Sequence, residues 1–248
     1  MRSKGLFLLS LLILGFVSNA QLETDADFKR TVYKNEFTAG VMFHSRGYGL
    51  NVRRMYYRTG YRKAGFEIDM VNIRHPKEVK YPNRNFLNTT QNFVYGKLNS
   101  LFSIRTGFTS ERILIDKTDQ GTISINWLVS GGASFGLLKP VYLQILSDDG
   151  GTPRLLTERY DPAVHDYQEI YGQAPFFTGI SETKLVPGAY LKSGLSFDYN
   201  FLDDKVATLE VGGLVDYFFG EVPIMHDTKN YQIWWQIYLT FNIGTKWN

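Results

Sequence analysis

The chain has 248 residues, a net charge of +3, no cysteine and 15% aromatic residues. Its length suits a single domain. The small and dispersed charge argues against nucleic acid as a partner, and the lack of cysteine argues against the disulfide framework of many small exported domains. Two classes stay open after this step, a soluble secreted β-protein and a transmembrane β-barrel.

The N-terminus has the pattern of a signal peptide. Arg2 and Lys4 form a basic start, an apolar run follows from Leu6 to Val17, and small residues precede a cleavage site after Ala20. The run is too short to span a bilayer comfortably as a resident helix. We therefore predict a cleaved signal peptide at 1–20, and a flexible periplasmic lead-in or small interior plug at 21–34.

The last segment of the chain alternates between apolar and more polar residues. Its odd positions are Ile233, Trp235, Ile237, Leu239, Phe241 and Ile243. Alternation over this length predicts a strand long enough to cross a hydrocarbon layer, roughly 9–11 residues. Similar patterns at 37–43, 64–70, 123–135, 191–199 and 206–219 predict an all-β fold, a transmembrane antiparallel up-and-down β-barrel over 35–248.

The strand count depends on the stretch 91–115. We interpret it as two strands with a turn at Leu98–Ser100, and we place a further turn at Leu137–Lys139 before a strand at 141–145. This gives about ten strands, with eight or twelve as alternatives; an even number keeps both termini in the periplasm. The long segments 73–90, 147–186 and 220–230 then become outer loops.

Several charged residues fall on the inward face of the predicted strands. They are Arg53, Lys63, Glu67, Asp69, Lys192, Asp198, Glu210 and Asp216. In a narrow bore of low dielectric such charges need partners, so we predict a paired network that plugs the lumen. A narrow channel for small solutes is the alternative.

The forty-residue loop 147–186 is the largest functional candidate, because long loops are usually functional or disordered. Its aromatic content argues against disorder. We interpret the loop as a folded cap or a partner-binding surface. The aromatic residues that we predict to contact a partner are Tyr160, Tyr167, Tyr171, Phe176 and Phe177. The alternative is a plain surface loop.

All four histidines (His44, His75, His165 and His226) map to predicted outer tips or loops. This placement raises the hypothesis of an enzyme that modifies outer-leaflet lipid, with Ser45 as the nucleophile and His44 as its base. Adjacent residues of a strand point to opposite faces, however, which weakens that pair. We expect no enzymatic activity, no metal and no cofactor.

Two short stretches carry a family resemblance. The segment Tyr95 to Leu101 with Arg105–Gly107, and the segment Gly131 to Pro140, resemble outer-membrane β-barrel proteins of Bacteroidota. Several of those barrels are accessory subunits of machines for barrel assembly or type IX secretion. The resemblance thus implies a structural or accessory role in the outer membrane, with lipopolysaccharide or other outer-membrane lipid and other outer-membrane proteins as partners.

Overall fold

A computed structural model describes residues 34–82, 92–116, 123–148, 153–165, 167–202 and 205–248. The predicted signal peptide and nearly all of the predicted lead-in lie outside these residues. Among the described residues, no helix has the length and apolar character needed to cross a membrane.

The described residues form strands and one short 3-10 helix, Ile180–Glu182. The strands are β1 (Asn35–His44), β2 (Gly47–Thr59), β3 (Arg62–Ile73), β4 (Lys80–Pro82), β5 (Asn92–Val94), β6 (Asn99–Ile115), β7 (Ile123–Pro140), β8 (Tyr142–Asp148), β9 (Pro153–Arg159), β10 (Ile170–Gln173), β11 (Lys184–Leu202), β12 (Lys205–Phe218) and β13 (Ile233–Trp247).

Eight of these strands close into an antiparallel barrel with the order β1-β13-β12-β11-β7-β6-β3-β2. The closing seam joins the first and the last strand, from Asn35 opposite Trp247 to His44 opposite Tyr238. Along each strand, side chains alternate between the lumen and the outer wall, as the pleat requires. The prediction of an all-β antiparallel barrel is therefore confirmed.

The preferred count of ten strands is wrong, and the alternative of eight is correct. The segment predicted to turn at Leu98–Ser100 instead leads directly into β6, and Leu137–Lys139 lies within β7. The two surplus strands exist as β5 and β8, but they belong to small separate sheets. They alternate because one face of each packs on an apolar core, and alternation does not reveal which sheet a strand joins.

The two ends of the barrel differ. The connections after β2, β6 and β11 are short and lie at the same end of the barrel. The first residue of β1 and the last residue of β13 also lie there, and we call this the turn end. The connections 74–98, 141–183 and 219–232 leave from the opposite end, the loop end. The loops predicted at 73–90, 147–186 and 220–230 fall largely within them.

A small folded cap stands on the loop end. It consists of the sheet β10-β8-β9 and the hairpin β4-β5. Its core contains Phe93, Val141, Leu143, Ile145, Tyr160 and Ile170. The third connection joins it, since Leu98 donates its backbone N–H to the carbonyl of Ile224 at 2.9 Å. Burial of these apolar side chains stabilises the cap, which the sequence predicts as one of the interpretations of the loop 147–186.

An apolar plug fills the lumen at the loop end. Its members come from the barrel strands and from the 219–232 connection, which folds inward: Met42, Val71, Ile73, Leu101, Leu138, Leu214, Phe218, Val222, Ile224, Met225, Trp234 and Tyr238. Tyr238 fits because Gly194 has no side chain; a Cβ there would lie 2.5 Å from the Tyr238 hydroxyl oxygen. The lumen is thus packed with side chains at this end.

Candidate functional site

The charged residues predicted to face the lumen all lie inside the barrel and are buried. These are Arg53, Lys63, Glu67, Asp69, Lys192, Asp198, Glu210 and Asp216. Some of their ion pairs join neighbouring strands, but others join strands that are not neighbours in the barrel wall and therefore cross the lumen, among them Arg53–Glu210, Lys63–Asp198 and Lys192–Glu67.

The middle cluster is centred on Arg53 of β2. Its guanidinium contacts Glu67 of β3 at 3.0 Å and also pairs with Glu210 of β12, on a more distant wall. Lys192 of β11 completes the cluster, with its Nζ 3.0 Å from Glu67 and 3.7 Å from Asp69. Two cations and three carboxylates from four strands therefore meet at one level of the lumen.

The turn-end cluster is centred on Lys63 of β3. Its Nζ lies 3.2 Å from Glu36, 3.3 Å from Glu111 and 2.9 Å from Asp198. A second cation, Lys246, lies 3.7 Å from Glu36. One lysine is therefore the central cation for three buried carboxylates on three different strands.

A third pair lies nearer the loop end. Arg105 of β6 binds Asp216 of β12 through two hydrogen bonds, of 2.8 and 2.6 Å, and Gln236 donates to the same carboxylate at 3.0 Å. Sequence reasoning did not include Arg105, Glu36 or Glu111 in the network. For Arg105 and Glu111, the alternation of inward and outward positions along β6 was the available signal, but the sequence did not fix the bounds of the strands between 91 and 115.

Buried acids outnumber buried bases among the described lumen residues. The bases are Arg53, Lys63, Arg105, Lys192 and Lys246; the acids are Glu36, Glu67, Asp69, Glu111, Asp198, Glu210 and Asp216. Neutral donors serve the excess: Asn51 donates to Asp69 at 2.5 Å, Asn126 to Glu111 at 2.6 Å and Tyr57 to Glu36 at 3.0 Å. This network suits a rigid packed interior, since each buried carboxylate needs several donors.

The candidate base His44 and the candidate nucleophile Ser45 each accept a hydrogen bond from the backbone. His44 Nδ1 accepts a hydrogen bond from the backbone N–H of Arg46 at 3.3 Å, and Ser45 Oγ accepts one from Ile237 N–H at 3.4 Å. His165 lies 3.2 Å from Glu158, whereas His226 lies 3.3 Å from Asp227. Within the described ranges, no group of three or more His, Cys, Asp or Glu residues could hold a metal ion.

His75 is buried at the loop end, with its ring stacked near Tyr231 and edge-on to Trp234. Its Nδ1 accepts a hydrogen bond from the backbone N–H of Lys77 at 3.2 Å. Burial lowers the pKa of His75 below its ordinary value of 6.5, and the Glu78 carboxylate partly offsets this effect. The neutral imidazole is therefore the form that is compatible with the folded contacts of His75 with Lys77, Tyr231 and Trp234.

We expect acid to destabilise the local structure around His75 at the loop end. The unfolded segment binds a proton at the ordinary pKa and the folded one only at lower pH, so stability is full above about pH 6.5 and falls as the pH drops below that value. Hydrogen exchange of the Lys77 amide should accelerate beyond its intrinsic pH trend. The variant His75→Asn keeps a hydrogen-bond acceptor that does not titrate, so it should lose this extra pH dependence. If the dependence is unchanged in the variant, a group other than His75 causes it.

The five aromatic residues predicted to contact a partner separate into two groups. Tyr160 is buried in the cap core, and its hydroxyl accepts a hydrogen bond from Gly96 N–H at 3.3 Å. Tyr167 packs on the same core and Tyr171 is half-buried. Tyr160 therefore stabilises the cap and cannot contact a partner. Phe176 and Phe177 are exposed, with Phe177 at 75%.

Sequence reasoning also missed a more accessible part of the cap. Strand β9 lies at the edge of the sheet β10-β8-β9, and its residues 154–159 are all exposed. Leu155 pairs with Leu146 and is 51% exposed. An edge strand presents unpaired backbone groups that a strand from another chain can use.

No protein-family model and no curated protein matches the chain. Among solved structures, Neisserial surface protein A is similar over 87% of this chain and 96% of that chain, with 10% identity and a TM-score of 0.39. The N-terminal β-barrel domain of Pseudomonas aeruginosa OprF is similar over 87% and 98%, with 11% identity and a TM-score of 0.35. Both scores are below 0.5, so the proposals below depend only on residues of this chain. The resemblance to Bacteroidota barrels stays a prediction.

Proposed function

We propose that the protein is a closed outer-membrane barrel that anchors a protein-binding cap, and that it acts as an accessory subunit of an outer-membrane assembly or secretion complex. The observation that carries the proposal is the combination of a lumen filled with side chains and a folded cap with an open edge strand. The barrel provides the anchor, and the cap provides the contact surface.

The outer wall of the barrel supports the membrane location. It carries a continuous belt of large apolar side chains exposed by about 40% or more: Phe43, Leu50, Phe66, Met70, Phe108, Leu191, Leu209, Val215, Ile237, Phe241 and Ile243. A patch of this extent marks contact with lipid or protein. At the turn end, Arg54 lies over the rings of Tyr56 and Trp247, an arrangement typical of a membrane interface.

The interior argues against a channel. Cross-lumen ion pairs occupy the middle and the turn end, and the apolar plug occupies the loop end. Conduction would require the separation of buried opposite charges, which costs several kcal/mol for each pair. The protein should therefore give no current steps in a planar bilayer. Steady steps would contradict the closed lumen and would indicate transport as the function.

The cap supports the accessory role. Its own apolar core holds it in one shape, and β9 lies on its margin with Leu155 facing away from that core. A rigid edge strand with exposed leucine can dock an extended segment of a partner by strand addition. The contact surface that we propose is therefore β9 together with Phe177.

Co-purification from native membranes in mild detergent tests the role. The native chain should elute with at least one other outer-membrane protein. Leu155→Asp should release that protein, because a charge would be buried without a partner in the docked edge. Val79→Asp is the matched control, since Val79 is 52% exposed and lies outside β9.

Two outcomes would contradict the proposal. Elution of the native chain alone, as a monomer, removes the accessory role. Equal retention of the partner by both variants removes β9 as the docking strand, provided that circular dichroism shows the cap intact.

A further inference from the structure

A deep apolar groove runs along the outside of the barrel near the loop end. Its volume is about 880 Å³, within the range of roughly 300–1,000 Å³ that ligand sites occupy. Neighbouring strands β1, β2, β3, β6 and β7 form its floor. The central floor residues are Phe43, Leu50, Met70, Ile104 and Leu137. A second wall stands beside this floor.

The second wall is the last segment of the 141–183 connection, residues 174–183, which we call the roof. Phe176 meets the barrel residue Phe102 edge-on, with ring centroids 5.8 Å apart, and Ile180 also lines the groove. Both residues are 54% exposed. The roof therefore presents apolar side chains beside the wall that we place in lipid.

A polar pocket of about 360 Å³ adjoins the groove and shares Tyr48, Phe102 and Phe176 with it. It is lined by the cations Arg74, Lys80 and Lys97 and by one acid, Glu78. Lys97 binds Glu78 at 2.7 Å, which leaves the pocket with a positive balance. An apolar groove with a cationic pocket at one end has the shape and charge of an amphiphile with an anionic head.

Lys139 provides the strongest indication of a ligand. Its side chain lines the groove and is only 7% exposed. Its Nζ lies 3.5 Å from the carbonyl of the adjacent Pro140 and 5.2 Å from the Phe176 ring, and no carboxylate of the described residues forms an ion pair with it. A buried ammonium normally has an anionic partner, because its desolvation is costly. A phosphate group at this end of the groove would be that partner.

We propose that the groove binds one acyl chain of a phosphorylated outer-leaflet glycolipid, with a phosphate on Lys139 and the adjacent cationic pocket. The inference depends on the membrane location proposed above, since the groove lies on the lipid-facing wall. A glycolipid with several chains and phosphates fits better than a phospholipid, because the adjacent pocket adds three cations against the single acid Glu78.

Native mass spectrometry of the full chain tests this assignment. The purified protein is mixed with equal amounts of bis-phosphorylated lipid A, dephosphorylated lipid A and phosphatidylglycerol. We expect at least roughly tenfold more bound bis-phosphorylated lipid A than dephosphorylated lipid A, as loss of a charge-assisted hydrogen bond predicts. The bound amount should also exceed that of phosphatidylglycerol, which offers one phosphate instead of two. Lys139→Met should abolish the preference and Lys139→Arg should keep it. Lys229→Met, an exposed lysine of the 219–232 connection, is the matched control.

Each other result has a defined meaning. Equal binding of both forms of lipid A by the native chain overturns the phosphate assignment, without any need for a variant. Preference for phosphatidylglycerol overturns the glycolipid assignment. Heat-modifiable mobility after mixing with vesicles reports membrane insertion separately: a chain that does not insert contradicts the proposed function, whereas one that inserts without lipid preference contradicts only this inference.

Discussion

Lys63→Met should destabilise the barrel by at least about 3–5 kcal/mol at neutral pH, because it leaves buried carboxylates without their central cation. The carboxylates of Glu36, Glu111 and Asp198 all lie within 3.3 Å of the Lys63 Nζ. Methionine fills a similar volume, so packing changes little. Urea unfolding of the barrel in vesicles, followed by tryptophan fluorescence, measures the loss.

The pH dependence of this variant provides a second check. Acidification protonates the carboxylates and removes the uncompensated charge, so the deficit of Lys63→Met relative to the native chain should shrink as the pH falls. Lys229→Met should change stability by less than about 0.5 kcal/mol, as exposed substitutions usually do. A deficit that is constant with pH would indicate that lost packing, and not charge, is the cause.

Arg53→Met should cost about 3–5 kcal/mol for a related reason. Glu67 keeps Lys192 as its partner, but among the described side chains the hydrogen-bond donor left to Glu210 is the amide of Asn242, at 3.3 Å. The double variant Arg53→Met with Glu210→Leu should recover most of the lost stability, because apolar residues can replace a buried pair at little cost.

A double-mutant cycle in urea measures the coupling between Arg53 and Glu210. Coupling of about 1 kcal/mol or more is the expected result, since residues in one ion-pair network are not additive. Additive losses would contradict the cross-lumen pair, and the argument for a closed lumen would then depend on the apolar plug alone.

Period-two alternation was sufficient to predict the class of fold. It located the strands around Phe37, Ile68 and Ile237, and it placed Arg53 and Asp198 on the inner face. It did not indicate sheet membership, because Leu143 and Ile145 alternate as regularly in the cap as Leu239 and Phe241 do in the barrel wall. The pairing partner of a strand is set by tertiary contacts that a single segment does not encode.

The apolar plug was missed, and the cap was predicted only as one interpretation of the loop 147–186, for a different physical reason. At the loop end the inward positions include Met42, Leu214 and Trp234, so both faces of the strand are apolar and the contrast between them disappears. The inward turn of Val222 and the joining of β5 to the 141–183 connection are long-range contacts without a local pattern. The positive charge beside the groove likewise arises from residues that are distant in sequence, Lys139 of the groove and Arg74 of the adjoining pocket.

The seam between β1 and β13 has a consequence for how the chain folds. Its two strands lie at opposite ends of the described chain, so the enclosure that isolates Lys63 and Arg53 from water requires both. Until they pair, each partial sheet has two unpaired edges and exposes its charges to solvent or lipid. Pairing between segments so far apart in sequence is intrinsically slow, so we expect the docking of the last strand to be the step that commits the barrel to its native state.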